Sequence, residues 1–144
     1  MKILFDTSVL VAAILERHIR NGAALPWLRR AKAREFGFLV ASHTLAELYS
    51  VLTAHPAQPR IAPSAAWQLI QENVAAHAQV MVLAPSDYVA VIEELARAGL
   101  PGGVVFDALV VRAAQNARAD HILTLNPAHF RRFFPANDAY VLVP

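Results

Sequence analysis

The sequence predicts an α/β fold with a mainly parallel sheet covered by helices on both faces, and three observations carry that prediction. Short apolar runs (residues 2–5, 37–41, 79–83, 121–124 and 140–143) alternate with longer segments of helical pattern. The runs are almost wholly apolar and do not alternate with polar residues, as expected of strands buried on both faces. Proline and glycine occur between segments as punctuation, with no repeat, low-complexity tract or linker, so residues 1–144 read as one domain.

Lys2-Ile3-Leu4-Phe5 reads as a buried strand, and Asp6-Thr7-Ser8 opens a helical run Val9–Glu16 with Thr7 or Ser8 as N-cap. Residues 20–35 predict a second helix with a basic face of Arg29, Arg30, Lys32 and Arg34. Gly37–Ala41 is the next strand. Thr44–Ala54 is helical, and Thr44-Leu45-Ala46-Glu47 matches a capping box. Pro63-Ser64 starts a helix to about Ala78, Gln79–Leu83 is a strand, and Pro85–Gly99 is a helix stopped by its glycine. Gly102–Ala119 predicts a long apolar helix, followed by the strands His121–Thr124 and Tyr140–Val143. In such sheets ligands bind beyond the carboxyl ends of the strands, where Asp6 and Asn126 fall.

Composition narrows the function classes. Of 144 residues, 56% are hydrophobic and 17% charged, the opposite of a disordered chain. The longest stretch free of Asp, Glu, Lys and Arg is the 14 residues Asn73–Ser86, short of the roughly 20 that span a bilayer. Only three apolar residues separate Lys2 from Asp6, so no secretory signal is expected. The absence of cysteine excludes disulfides, thiolate metal sites and thiol catalysis, and it fits a reducing cytoplasm. Net charge is +2, and eleven of the thirteen basic residues are Arg, which suits bidentate phosphate contacts. With Asp6, Glu47 and Asp107 withdrawn into a site, 8 acids face 13 bases, so a polyanionic partner is expected.

Those three acids stand in apolar surroundings. Asp6 follows a buried strand; it could cap the next helix, but Thr7 and Ser8 could do so equally well. A phosphatase pattern would need a second Asp where Ser8 stands. A receiver pattern would need an adjacent acidic pair and a late Lys, whereas the only lysines are Lys2 and Lys32. Asp107 has Gly103, Val104, Val110 and Val111 as helical neighbours, so its carboxylate should turn inward with them. A buried charge costs several kcal/mol unless it is paired or metal-bound, which leaves a structural ion pair or a functional site. Glu47 is either the acid of a capping box or a third member of that site. Three carboxylates without a matching buried lysine invite a divalent cation, and hard oxygen donors select Mg2+ or Mn2+.

Four motifs in order carry a resemblance: the strand into Asp6-Thr7-Ser8, Thr44-Leu45-Ala46-Glu47-Leu48, Phe106-Asp107-Ala108-Leu109, and Ile122-Leu123-Thr124-Leu125-Asn126-Pro127-Ala128-His129-Phe130. Across nearly the whole chain they resemble a PIN domain, and most of all the VapC-type toxins of bacterial toxin–antitoxin pairs. The resemblance implies a PIN-like three-layer sandwich, a metal-dependent ribonuclease, a homodimer and a cognate antitoxin protein that blocks the site. Asp6, Glu47 and Asp107 match the family's three main acids. The fourth position is often Asp and here is Asn126, which keeps an oxygen donor but loses a charge. Asp120 reads as an exposed turn residue and His129 as a surface residue.

Under this reading Asp6, Glu47 and Asp107 hold the metal and Thr7 or Thr124 orients a carboxylate or water. Arg29, Arg30, Lys32, Arg34, Arg131 and Arg132 either track the RNA backbone or form a solvated face. Unpaired RNA fits best, because an A-form duplex offers side chains little readable sequence. Trp67, Leu69 and Ile70 are expected to supply an apolar dimer patch. Two other readings stay open: an RNA-binding module that does not cleave, and a metal-dependent phosphatase of small phosphoesters.

Overall fold

The structure, a computed structural model, describes residues 1–56, 59–134 and 137–144. Five strands, β1 (Lys2–Phe5), β2 (Gly37–Ala41), β3 (Gln79–Met81), β4 (His121–Leu123) and β5 (Val141–Leu142), form one sheet in the order β3-β2-β1-β4-β5. Every pairing is parallel, with Ile3 beside Phe38 and Phe5 beside Leu123. Among the described residues seven α-helices surround it: α1 (Thr7–Ile14), α2 (Asn21–Lys32), α3 (Ser42–Ala54), α4 (Pro63–Ile70), α5 (Pro85–Ala98), α6 (Val104–Asn116) and α7 (Pro127–Arg131). The α/β three-layer sandwich expected from the sequence is the one observed.

The period of two along each strand sorts the core into two layers. Ile3, Phe5, Phe38, Val40 and Leu123 face one way and pack with residues of α1–α4, including Leu10, Leu28, Leu48 and Ala66. Leu4, Leu39, Ala41 and Ile122 face the other way, onto Val91 and Leu95 of α5, Leu109 and Val110 of α6 and Phe130 of α7. From β1 the chain first builds outward through β2 and β3, then crosses back to β4. The strand order therefore reverses between β1 and β4, which is where such sheets open a crevice at their carboxyl ends.

Several boundaries differ from expectation. α1 begins at Thr7, so Thr7 and Ser8 lie inside the helix; Asp6 holds the N-cap position, and its side chain makes no capping bond. α3 begins at Ser42, directly after β2, with Ala41 as N-cap. Glu47 is thus more than one turn into the helix, too deep for a capping box, and Thr44 Oγ1 is buried without a partner. The helix from Pro63 changes to a π-helix at Gln71–Ala75, β3 stops at Met81, and α6 is shorter at both ends than its apolar run. The five-residue α7 lacks enough sequence for a readable period. Ile70, expected on a surface patch with Trp67, is a core residue at 3% exposure, and only Trp67 stands well out.

Candidate active site

β1 and β4 end side by side, and their pairing continues one residue further through the Asp6 N–H to the Leu123 carbonyl (3.0 Å). This sets Thr124 beside Asp6. The Thr124 hydroxyl donates to Asp6 Oδ2 at 2.8 Å, and the Ser8 hydroxyl donates to the same oxygen at 2.5 Å. Both hydroxyls are also anchored as acceptors, Thr124 Oγ1 from the Asn126 N–H (3.0 Å) and Ser8 Oγ from the Leu125 N–H (3.1 Å). Asp6 is 8% exposed and its Oδ1 makes no hydrogen bond with the described residues, so one oxygen is fixed and the other is available to the cleft.

The other two acids arrive from opposite layers. Glu47 on α3 accepts the Thr7 hydroxyl at 2.7 Å, so Thr7 orients a carboxylate instead of capping a helix. Glu47 is exposed to solvent rather than sunk in an apolar stripe. Asp107, in the first turn of α6, is half-buried, and its Oδ2 lies 3.4 Å from His129 Nδ1. Burial pushes the Asp107 carboxyl above its usual range. The charges of His129 and Arg132 pull against that shift, while those of Asp6 and Glu47 add to it. Asp107 is therefore neither the buried half of a strong ion pair nor a free surface acid.

All three line one open cleft of about 980 Å³, together with Thr7, Ser8, His18, Arg20, Asn126, His129 and Arg132 and with apolar residues that include Val51 and Phe106. Asn126 is exposed at the N-cap of α7. His18 and Arg20 come from the turn before α2, which is held in place by Asn21 Nδ2 bonding to the carbonyls of Ala12 and Ala13. Sequence reading treated His129 as a surface residue; it is 54% exposed and also part of the cleft. His18 and Arg20 had no signal in the sequence, since nothing local shows which loops meet, and Phe106 stood out only as the neighbour of Asp107 in its motif. His43, one turn before Glu47, was likewise missed: both its ring nitrogens are buried without hydrogen bonds, and burial holds its pKa below the usual value of 6.5.

The structure does not bring the basic face of α2 to this cleft. Arg34 lines a depression with Met1 and Gly37, where the strands begin, at the opposite edge of the sheet. Arg30 pairs with Glu35 at 2.7 Å and lies over the Trp27 ring, and Lys32 donates to Asn73. Arg29 is exposed and does not line the cleft. Of the pair on α7, Arg132 lines the cleft and Arg131 does not. Asp120 also sits at the far edge, accepting the Lys2 N–H at 2.6 Å.

Oxygen donors of three carboxylates, repelling one another across a solvent-filled cleft, suit a hard divalent cation. As the side chains stand, no three His, Asp or Glu groups among the described residues are close enough to hold one together. Each acid is engaged by a protein partner instead: Asp6 by Ser8 and Thr124, Glu47 by Thr7, and Asp107 by His129.

Comparisons with known proteins agree with this fold. The PIN domain family model matches residues 3–133. Ribonuclease VapC27 of Mycobacterium tuberculosis is 36% identical over 115 residues, covering 80% of this chain and 78% of that protein. Ribonuclease VapC40 of the same species is 35% identical over 122 residues, 79% of each. Two crystal structures share the fold at 18% identity. One is VapC20 of Mycobacterium tuberculosis, a sarcin-ricin-loop-cleaving toxin (TM-score 0.65, 84% of this chain and 87% of that one). The other is VapBC2 of Rickettsia felis bound to a promoter DNA fragment (TM-score 0.63, 100% and 99%).

Proposed function

The chain belongs to the PIN-domain family, among its VapC-type ribonucleases, and from that membership we propose that the cleft hydrolyses phosphodiester bonds of RNA with a bound Mg2+ or Mn2+. The observation that carries the proposal is that Asp6, Glu47 and Asp107, from three separate elements, line one cleft at the point of strand reversal. Asp6, Asp107 and Glu47 would hold the cation, with Asn126 as a neutral oxygen donor at the mouth. A bound divalent cation supplies an acidified water and neutralises charge on the phosphate.

The chain's own residues do the rest. Ser8 and Thr124 fix the orientation of Asp6, and Thr7 restrains Glu47. Neither hydroxyl beside Asp6 is set up as a nucleophile, since each donates to the carboxylate and accepts a backbone N–H. Arg20 and Arg132 line the cleft and would contact the phosphate there. Phosphodiester hydrolysis by an activated water needs no covalent intermediate, in keeping with a chain that has no cysteine.

We extend the proposal to the toxin of a toxin–antitoxin pair, working in the cytoplasm as a homodimer and restrained by a cognate antitoxin protein. The VapBC2 likeness and the VapC relatives support an antitoxin. No helix among the described residues is long and apolar enough to cross a membrane. Exposed Tyr88, Val89 and Ile92 share one stripe of α5 and offer an apolar face for a second copy. A second reading, an RNA-binding module without turnover, is favoured by Asn126, which removes one negative charge from the mouth of the site.

Incubation of the purified protein with structured RNA and with a small phosphoester, each with Mg2+, Mn2+ or EDTA, separates these readings. Metal-dependent RNA cuts are expected. RNA binding without cuts would establish the second reading, and hydrolysis of the small ester alone would identify a phosphatase.

A further inference from the structure

We propose that Phe106 is a stacking platform for an unpaired RNA base next to the scissile phosphate. The inference rests on the ribonuclease reading and deepens it. Phe106 precedes Asp107 in the first turn of α6, lines the cleft, and is 56% exposed. A large ring left in water contributes nothing to the core, and single exposed apolar residues need no explanation. This one is not single. Pro101 and Val104, close to it in the chain, line the same cleft and make an apolar wall beside the carboxylates, and Val51 of α3 lines the cleft as well.

The charges around that wall select its occupant. Arg20 comes from the turn between α1 and α2 and Arg132 from the end of α7, so guanidinium groups from two different elements line the cleft with the acids. A strand lying in the cleft would meet both guanidinium groups and an aromatic face. Alternating phosphates and bases fit that arrangement, as in the grooves that bind single strands through cations and stacked aromatics. A paired base cannot reach the ring, so the platform admits loops, bulges and ends and rejects a continuous duplex.

The test measures binding in EDTA, so that no cleavage intervenes, with an unstructured RNA oligonucleotide carrying 2-aminopurine, a duplex of the same sequence, and an arginine-rich peptide as protein-like competitor. Phe106→Ala should weaken single-strand binding roughly 5- to 150-fold and abolish the fluorescence quenching that reports stacking. Phe106→Tyr should keep both, and duplex binding should be weak in every variant. Because the side chain lies outside the core, unchanged melting of each variant is expected and serves as the folding control. Equal affinity of Phe106→Ala and wild type for the single strand overturns the proposal. So does a loss confined to the peptide, which would make the wall a protein-docking surface. Cleavage in Mg2+ keeps the two proposals apart. A wild type that cuts RNA while Phe106→Ala leaves KM unchanged sinks the platform alone. A wild type that never cuts, yet loses RNA binding on Phe106→Ala, sinks the ribonuclease and leaves the platform standing.

Discussion

Thr124 and Asp6 are separated by 118 positions in the chain, yet the Thr124 hydroxyl lies 2.8 Å from Asp6 Oδ2 and is wholly buried. Parallel pairing of β1 and β4 creates this contact, since Phe5 and Leu123 are partners in register and the next residue of each strand falls at the same height. The bond turns the last buried rung of the sheet into the floor of the cleft.

Thr124→Val keeps the shape of the side chain and removes the hydroxyl. It strips one donor from Asp6 and the acceptor from the Asn126 N–H, so a loss of about 1–3 kcal/mol in unfolding free energy is expected. RNA cleavage should fall more than binding, because Asp6 loses its orientation. Denaturant melts and single-turnover cleavage check this; full activity in the variant would remove Thr124 from the site.

Asp107→Asn probes the repulsion among the acids. A carboxyl pushed above its ordinary value of 3.8 binds its proton more tightly folded than unfolded. The stability from that proton is full below the ordinary value and is lost as pH rises through the higher folded value. In EDTA near pH 8, where an ordinary imidazole is neutral, the variant should exceed wild type by about 1–2 kcal/mol at an effective dielectric near 20. That gap should shrink towards pH 4. Millimolar Mg2+ should narrow or reverse it, since wild type gains binding free energy. A variant that melts well below wild type in EDTA would instead mark Asp107 as half of a structural ion pair.

Salt dependence locates the RNA track. Each phosphate contact to a single strand contributes a slope of roughly −0.7 in log affinity against log salt. Arg20→Ala with Arg132→Ala should flatten the slope by about one to two units, whereas Arg29→Ala with Arg30→Ala should leave it unchanged. The reverse result would put the track on α2, away from the cleft.

His43 supplies a pH signature. A base with a depressed folded pKa contributes stability that is present above 6.5 and lost as pH falls through its lower folded value. His43→Leu removes two buried ring nitrogens that have no partners. Below about pH 6 the variant should be more stable than wild type by about 1 kcal/mol, with the difference shrinking above pH 7. Thermal melts across that range test it, and parallel curves at all pH values would contradict it.

The homodimer is tested by sedimentation at low micromolar concentration, where a species of twice 15.7 kDa is expected. A single 15.7 kDa species would reject it. Ile92→Glu on α5 should shift the equilibrium towards monomer without changing the melting of the monomer.

The sequence by itself determined the α/β sandwich, because short, almost wholly apolar runs that alternate with helical segments are satisfied between two helical layers. It also singled out Asp6 and Asp107, whose charges conflict with the apolar residues around them, and such a conflict is local and visible in one dimension. Glu47 was legible through the four-motif resemblance more than through its neighbours, which also fit a capping box. Tertiary structure decided the remainder. Whether Thr7 caps a helix or holds Glu47 depends on where α1 starts relative to α3, and no local pattern encodes that distance. The basic run of α2 reads equally as an RNA track or a solvated face, and only the fold shows that the chain from α2 leads back to the start of β2, with Arg34 beside Met1 and Gly37 and away from the cleft. Arg20 sits in an unremarkable segment, and His129 and Phe106 in motifs singled out for other residues; they line one cleft only because a parallel sheet gathers its connecting loops at one end.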